Sequence, residues 1–204
     1  MMKKALYLLL FSCCLAIPSI AQSRFVRVEL PLQVSVEVPQ NWWVLSGDLN
    51  ATVEAGGEAA VKLAGLELPP GRTVNLFRAN SMPRSTYASI AVNSKDSDVP
   101  PEIIKDATEA ELKELEDATV ETMKKMTVVQ FLGSLGLERA TISGHIATVF
   151  RYRRNGPDGP VVVSMHRLFI GKKEISFNFS YREAEGILWK PIIEYMSQSI
   201  RVGN

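Results

Sequence analysis

Cysteine is what this sequence most nearly does without. Its 204 residues hold two, Cys13 and Cys14, both near the N-terminus. A chain processed beyond them has neither disulfide nor thiol nucleophile. Histidine is as scarce, with only His145 and His166. A zinc site wants three or four His, Cys or carboxylate ligands at recognisable spacing, and that pattern is missing. So is the G-x-S-x-G elbow of a serine hydrolase: Gly133-Ser134-Leu135-Gly136 only imitates it. Charge of one sign is lacking too, with 23 Lys and Arg against 22 Asp and Glu. That balance has none of the basic excess that phosphate backbones demand, so nucleic acid is not the expected partner. Asp96 and Asp98 form a loop-like carboxylate pair, but calcium takes six to eight oxygens and no closing Glu follows in register. The expectation is a non-enzyme without metal or cofactor.

What is present begins with an address. Lys3 and Lys4 precede an apolar run from Ala5 to Ile17, Pro18 breaks it, and Ser19 and Ala21 are the small residues of a cleavage site. This predicts a signal peptide over residues 1–21, leaving Gln22 first and one domain over residues 22–204. The run is interrupted by Ser12 and falls short of the ~20 apolar residues of a span. An alternative reading takes Leu10-Phe11-Ser12-Cys13 as a lipobox, giving a lipid anchor on Cys13. Phe11 is bulky for that motif. The expected location is periplasmic or secreted, with membrane contact only through such an anchor.

Beyond this segment, Val34, Val36 and Val38 alternate with Ser35 and Glu37, the period of a half-buried strand. Trp42 and Trp43 follow a turn at Pro39, and adjacent residues in a strand point to opposite faces. At most one tryptophan then lies in the layer of the valines, and the other either packs under a helix on the far face or is a candidate binding residue. Residues 50–66 are Ala-rich but interrupted by Gly56 and Gly57, which suits a loop or broken helix. Residues 73–79 and 86–94 read as a strand pair. Thr108 and Glu111 make a capping box, and the helix it opens carries Leu112, Leu115, Thr119 and Met126 along one narrow side. Residues 131–137 read as a link and 138–143 as a strand. The C-terminal part is a meander of strands over 147–154, 161–170 and 174–181, closed by a helix around 191–197.

The order of these elements resembles the PsbP-like superfamily, which includes PsbP, the Ran-binding Mog protein and DcrB-type bacterial envelope proteins. The likeness runs from the strand ending in Pro39-Gln40-Asn41-Trp42, through Gly144-His145 entering a strand, to Ile175–Tyr181 and the last helix before Ile200. It covers nearly all of residues 22–204 as a pattern rather than as an invariant motif. It implies an α+β fold, an antiparallel β-sheet sandwiched between helices, in proteins that bind or scaffold other proteins rather than catalyse. An unidentified protein partner is therefore implied.

The meander also yields one candidate site. Aligning its hairpins so that residue 151 faces 163 and 167 faces 177 puts Arg151 and Arg167 on one apolar face with Val163, Phe177 and Phe179. Two arginines there are costly unless paired, so they pair with carboxylates or line an anion-binding cleft. With Trp42, Trp43 and Tyr152 they are the candidate binding residues. The leading functional expectation is an exported protein-interaction or envelope-assembly domain. The alternative is a binder of small anionic or amphipathic ligands in an aromatic and arginine-lined cleft.

Overall fold

Period-2 alternation, read above in a few stretches, organises the whole molecule. The computed structural model describes residues 24–45, 73–126 and 130–203. The expected signal peptide with Cys13, and the Ala-rich stretch 50–66, lie outside the described residues.

Strands β1 (Phe25–Leu30) and β2 (Val34–Pro39) form a hairpin, and β3 (Trp43–Val44), β4 (Val74–Asn80) and β5 (Ala88–Asp96) follow. Helices α1 (Pro101–Asp106) and α2 (Glu109–Lys125) separate these from β6 (Phe131–Ile142), β7 (His145–Arg154), β8 (Val161–Ile170) and β9 (Lys173–Arg182). Helix α3 (Gly186–Gln198) and β10 (Arg201–Val202) close the chain. Seven strands make one antiparallel sheet in the order β3-β4-β5-β9-β8-β7-β6, and β1-β2-β10 make a small second sheet. Among the described residues no helix is long and apolar enough to cross a membrane.

The expected α+β sandwich is present, with one addition. On one face of the large sheet, Ile90, Val92, Phe177 and Phe179 are fully buried beneath Trp189, Ile193 and Met196 of α3. Val34, Val36 and Val38 of the small sheet join that same core. One cover is thus helix plus sheet. On the other face, α2 lies against β6, and its Val120 and Met123 pack on Phe150, Tyr152 and Val163. The capping box is formed: Glu111 N–H donates to the Thr108 hydroxyl at 3.3 Å, and Thr108 N–H to the Glu111 carboxylate at 2.7 Å.

Three boundaries differ from expectation. Residues 131–142 are one strand, its register against β7 shifted between Phe131 and Gly133 and again between Ser134 and Gly136. Such bulges break the alternation that would mark a strand in sequence. Helix α3 begins at Gly186 rather than near Pro191, because Trp189 packs edge-on against Trp42 with ring centroids 5.9 Å apart. The third is the register of the meander. Gly171 and Lys172 alone turn β8 into β9, so Ile170 pairs with Lys173 and Arg167 with Ser176. Gly171 takes the positive φ of 57° that this two-residue turn needs. At the other end Arg154 pairs with Val161, which sets Arg151 opposite Ser164. Each hairpin is one residue out from the expected alignment, and a one-residue slip exchanges every side chain of β8 between faces.

Candidate functional site

That slip disperses the expected cleft. Arg151 shares the α3 face with Val149 and His166, and Arg167 shares the α2 face with Thr148 and Met165. The expectation that both arginines lie on one face is corrected. Arg151 pairs with Glu138 at 2.8 Å. Arg167 Nε lies 3.9 Å from Glu174 and 3.2 Å from Met165 Sδ, at the wall of a 420 Å³ apolar groove with Ile103, Ile104, Leu112 and Phe169. The tryptophans part at the turn before β3, where Trp42 lies, rather than by alternation along the strand. Trp42 is 6% exposed in the core, and Trp43 is 41% exposed with the Arg84 guanidinium 5.0 Å from its ring centre. Tyr152 is buried and stacks on Phe150 with centroids 5.3 Å apart. Burial pushes its phenol above the ordinary value, against the charges of Arg154 and Arg167.

The two histidines have structural surroundings. His166 Nε2 lies 3.0 Å from Ser164 Oγ, and its ring meets Phe179 edge-on. Burial, with the Arg151 charge adding to it, pushes this imidazole down to about 4 against the opposing pull of Glu138. A histidine kept neutral in this way is a poor acid at neutral pH. His145 opens β7 and is half-buried. Asp96 meets Lys173 Nζ at 2.6 Å. Among the described residues no three His, Cys, Asp or Glu side chains gather as metal ligands do.

What the sequence reading missed is a polar cleft on the α2 face, beyond the part that α2 covers. It encloses 440 Å³. Ser89 and Asn93 of β5 and Asn178 and Ser180 of β9 form its floor, with Arg78 and Asn80 of β4 at one wall and Tyr152 and Arg154 of β7 at the other. Tyr87 sits just before β5, its hydroxyl 3.4 Å from Ser89 Oγ, 3.3 Å from Ser180 Oγ and 3.2 Å from Arg154 Nη2. Burial would raise the Tyr87 phenol, but hydrogen bonds with Ser180 and Ser89 and the Arg154 charge outweigh it and leave it below the ordinary value. Glu185, at the start of α3, anchors this end of the cleft. It accepts from Tyr87 N–H at 2.8 Å and from Trp189 Nε1 at 2.9 Å, and pairs with Arg182. Among the described residues no carboxylate lines the cleft. The sequence signal was the polar half of two alternations: Ser176, Asn178 and Ser180 between Ile175, Phe177 and Phe179, and Ser89 and Asn93 flanking Ile90 and Val92.

No protein-family model matches the chain, and no curated protein matches it. Solved structures do. The solution structure of cyanobacterial PsbP (CyanoP) from Synechocystis sp. PCC 6803 is 12% identical with a TM-score of 0.53, over 89% of this chain and 94% of that one. LpqN of Mycobacterium tuberculosis, described as involved in cell envelope biogenesis, is 13% identical with a TM-score of 0.48, over 89% and 91%. The Ran-binding protein Mog1p of Saccharomyces cerevisiae is 14% identical with a TM-score of 0.44, over 88% and 96%. At such identities a likeness speaks for architecture and leaves function to the site itself. With the CyanoP match running over most of both chains, the seven-stranded antiparallel sheet and its covers place this protein in the PsbP-like fold.

Proposed function

We propose that this protein is an exported, non-catalytic domain that acts by binding another protein in the cell envelope. The observation that carries the reading is an exposed apolar surface around the buried Trp42–Trp189 pair. Trp43 and Val44 follow Trp42 on the edge strand β3 and are 41% and 53% exposed. Ile187 and Leu188 precede Trp189 and are 98% and 47% exposed. Large apolar side chains grouped about a rigid anchor are what protein interfaces present, with aromatics enriched. Export rests on the N-terminal pattern of residues 1–21, with Gln22 as the first mature residue or, in the alternative, a lipid on Cys13.

The test compares tagged wild-type protein with a Trp43→Ala, Ile187→Glu double variant, cross-linked in the envelope. A stoichiometric partner held by the wild type and lost from a folded variant is the expected result. A partner retained equally by both, or none at all, overturns the reading. The mass of the envelope-associated protein reports export. A Gln22 N-terminus is expected, an acylated Cys13 selects the anchored form, and an unprocessed cytosolic chain removes export from the proposal.

A second reading, a binder of small anionic ligands, is favoured by the arginine-walled cleft, whose described lining holds no carboxylate.

A further inference from the structure

Most arginines that reach a carboxylate in this protein are neutralised where they stand. Arg27 meets Glu37 and Arg153 meets Glu183, both at 2.6 Å, Arg151 meets Glu138 at 2.8 Å, and Arg182 meets Glu185 and Asp158. Others meet no carboxylate among the described residues: Arg139 and Arg201 donate to backbone carbonyls, and Arg84 lies over the Trp43 ring. Arg78 and Arg154 are set apart by lining one cavity together. Among the described residues neither Arg78 nor Arg154 has a carboxylate in ion-pairing range. Arg154 is held by uncharged partners, donating to the Tyr87 hydroxyl at 3.2 Å and to the Asn155 carbonyl at 3.1 Å. The Arg78 side chain donates to no described residue, and its Nε is closed off from water without an acceptor. A sheltered donor on a charged group is expensive to leave unmade. Most folds avoid that cost by supplying an acid.

The other polar groups lining the cleft point the same way, among apolar neighbours Leu45, Ile90 and Val163. Its floor offers hydroxyls and amides from Ser89, Asn93, Asn178 and Ser180, and Asn80 adds another amide beside Arg78. The Tyr87 phenol is held below its ordinary value chiefly by hydrogen bonds with Ser180 and Ser89, with the Arg154 charge adding to them. At 440 Å³ the space lies within the range of roughly 300–1,000 Å³ usual for small-molecule sites. The planar guanidinium fork matches carboxylate and phosphate oxygens in pairs.

We infer that the cleft between β4 and β7 binds a small polar organic anion, whose carboxylate or phosphate pairs with the Arg78 guanidinium while Arg154 supplies the second positive wall. The neutral polar groups of that ligand meet the Asn80, Asn93 and Asn178 amides. This rests on the ligand-binding reading and names its chemistry.

Three oxyanion probes test it, each titrated into the purified protein: citrate, glucose 6-phosphate and vesicles containing phosphatidylglycerol. Glucose and choline are the controls. Calorimetry or sedimentation gives affinity, and the Arg78 Nε–H resonance gives location. The expected result is saturable binding of at least one oxyanion probe that moves that resonance. Which probe binds separates carboxylate from phosphate and free solute from lipid headgroup. Arg78→Gln weakens it about tenfold or more, the worth of a charged hydrogen-bonded pair. Arg154→Gln weakens it less, and Arg151→Gln, on the opposite face, leaves it unchanged. Should Arg78→Gln not fold, Arg78→Lys keeps the charge and stem, loses the fork, and is expected to weaken binding in the same direction. Binding of glucose or choline with no dependence on Arg78 overturns the inference alone. Equal weakening by Arg151→Gln also overturns it. No binding of any probe overturns the ligand-binding reading with it.

Discussion

The two faces of the seven-stranded sheet are made by the same strands and have opposite characters. Strand β9 shows it residue by residue: Ile175, Phe177 and Phe179 are fully buried toward α3, while Ser176, Asn178 and Ser180 look toward the α2 side. The α3 face is a dry core over β5 and β9, closed by helix and small sheet together. It turns polar toward β7 and β6, where Arg151 and Glu138 pair within reach of water. The α2 face is apolar over β7 and β8, where α2 lies, and polar over β5 and β9. A sheet needs apolar side chains only where another layer takes them out of water. The polar half therefore contributes little to the core and is open to recognition. In this fold stability and binding divide along one strand.

Neighbouring residues of β9 break that comparison most sharply. Phe177→Ala removes a fully buried ring from the core and is expected to cost about 3–5 kcal/mol of unfolding free energy. Asn178→Ala, one residue on, loses only a 3.4 Å contact from Nδ2 to Ser176 Oγ, and a change within about 1 kcal/mol is expected. Denaturant unfolding of the pair decides it. Equal costs would mean that the α2 face is as much a core as the α3 face.

His166 tests whether the dry face stays dry around a titratable group. Its imidazole is pushed from 6.5 down to about 4 by burial. As pH falls the unfolded chain takes the proton first, so stability is full above about 6.5 and drains away toward about 4, by up to about 3 kcal/mol. His166→Gln is expected to flatten the pH dependence in that window. An unfolding curve of equal slope in both proteins would show that water reaches the ring.

Strand content was legible here because most strands alternate cleanly, and the capping box located α2 at Thr108. The faces were not. Register depends on whether the turn after Ile170 uses two residues or three, and Gly171-Lys172-Lys173 permits either by composition. The polar cleft was hidden for a related reason. Arg78 and Tyr87 belong to one hairpin and Arg154 to a strand far along the chain, and only the strand order β4-β5-β9-β8-β7 gathers them. The tryptophan pair was half legible: the sequence pattern puts Trp42 and Trp43 on opposite sides without saying which is buried, and the turn before β3, not the strand, parts them.

The smallest expected effect concerns the arginine that the sequence pattern first singled out. Arg151 and Glu138 meet at 2.8 Å, but their side chains are 42% and 56% exposed. At such exposure the Coulomb gain is screened, and holding two long side chains in one geometry costs rotamer entropy. A double-mutant cycle of Arg151→Gln and Glu138→Gln is therefore expected to give a coupling of about 0–1 kcal/mol, falling with added salt. Arg167 is more sheltered, and the carboxylate it approaches also meets Lys95 Nζ at 3.2 Å. Its removal redistributes one shared acid rather than stranding it. A coupling at Arg151 well above that range, insensitive to salt, would mean that this end of the α3 face is closed to water in solution. The rim of the dry face would then reach beyond β7 to β6.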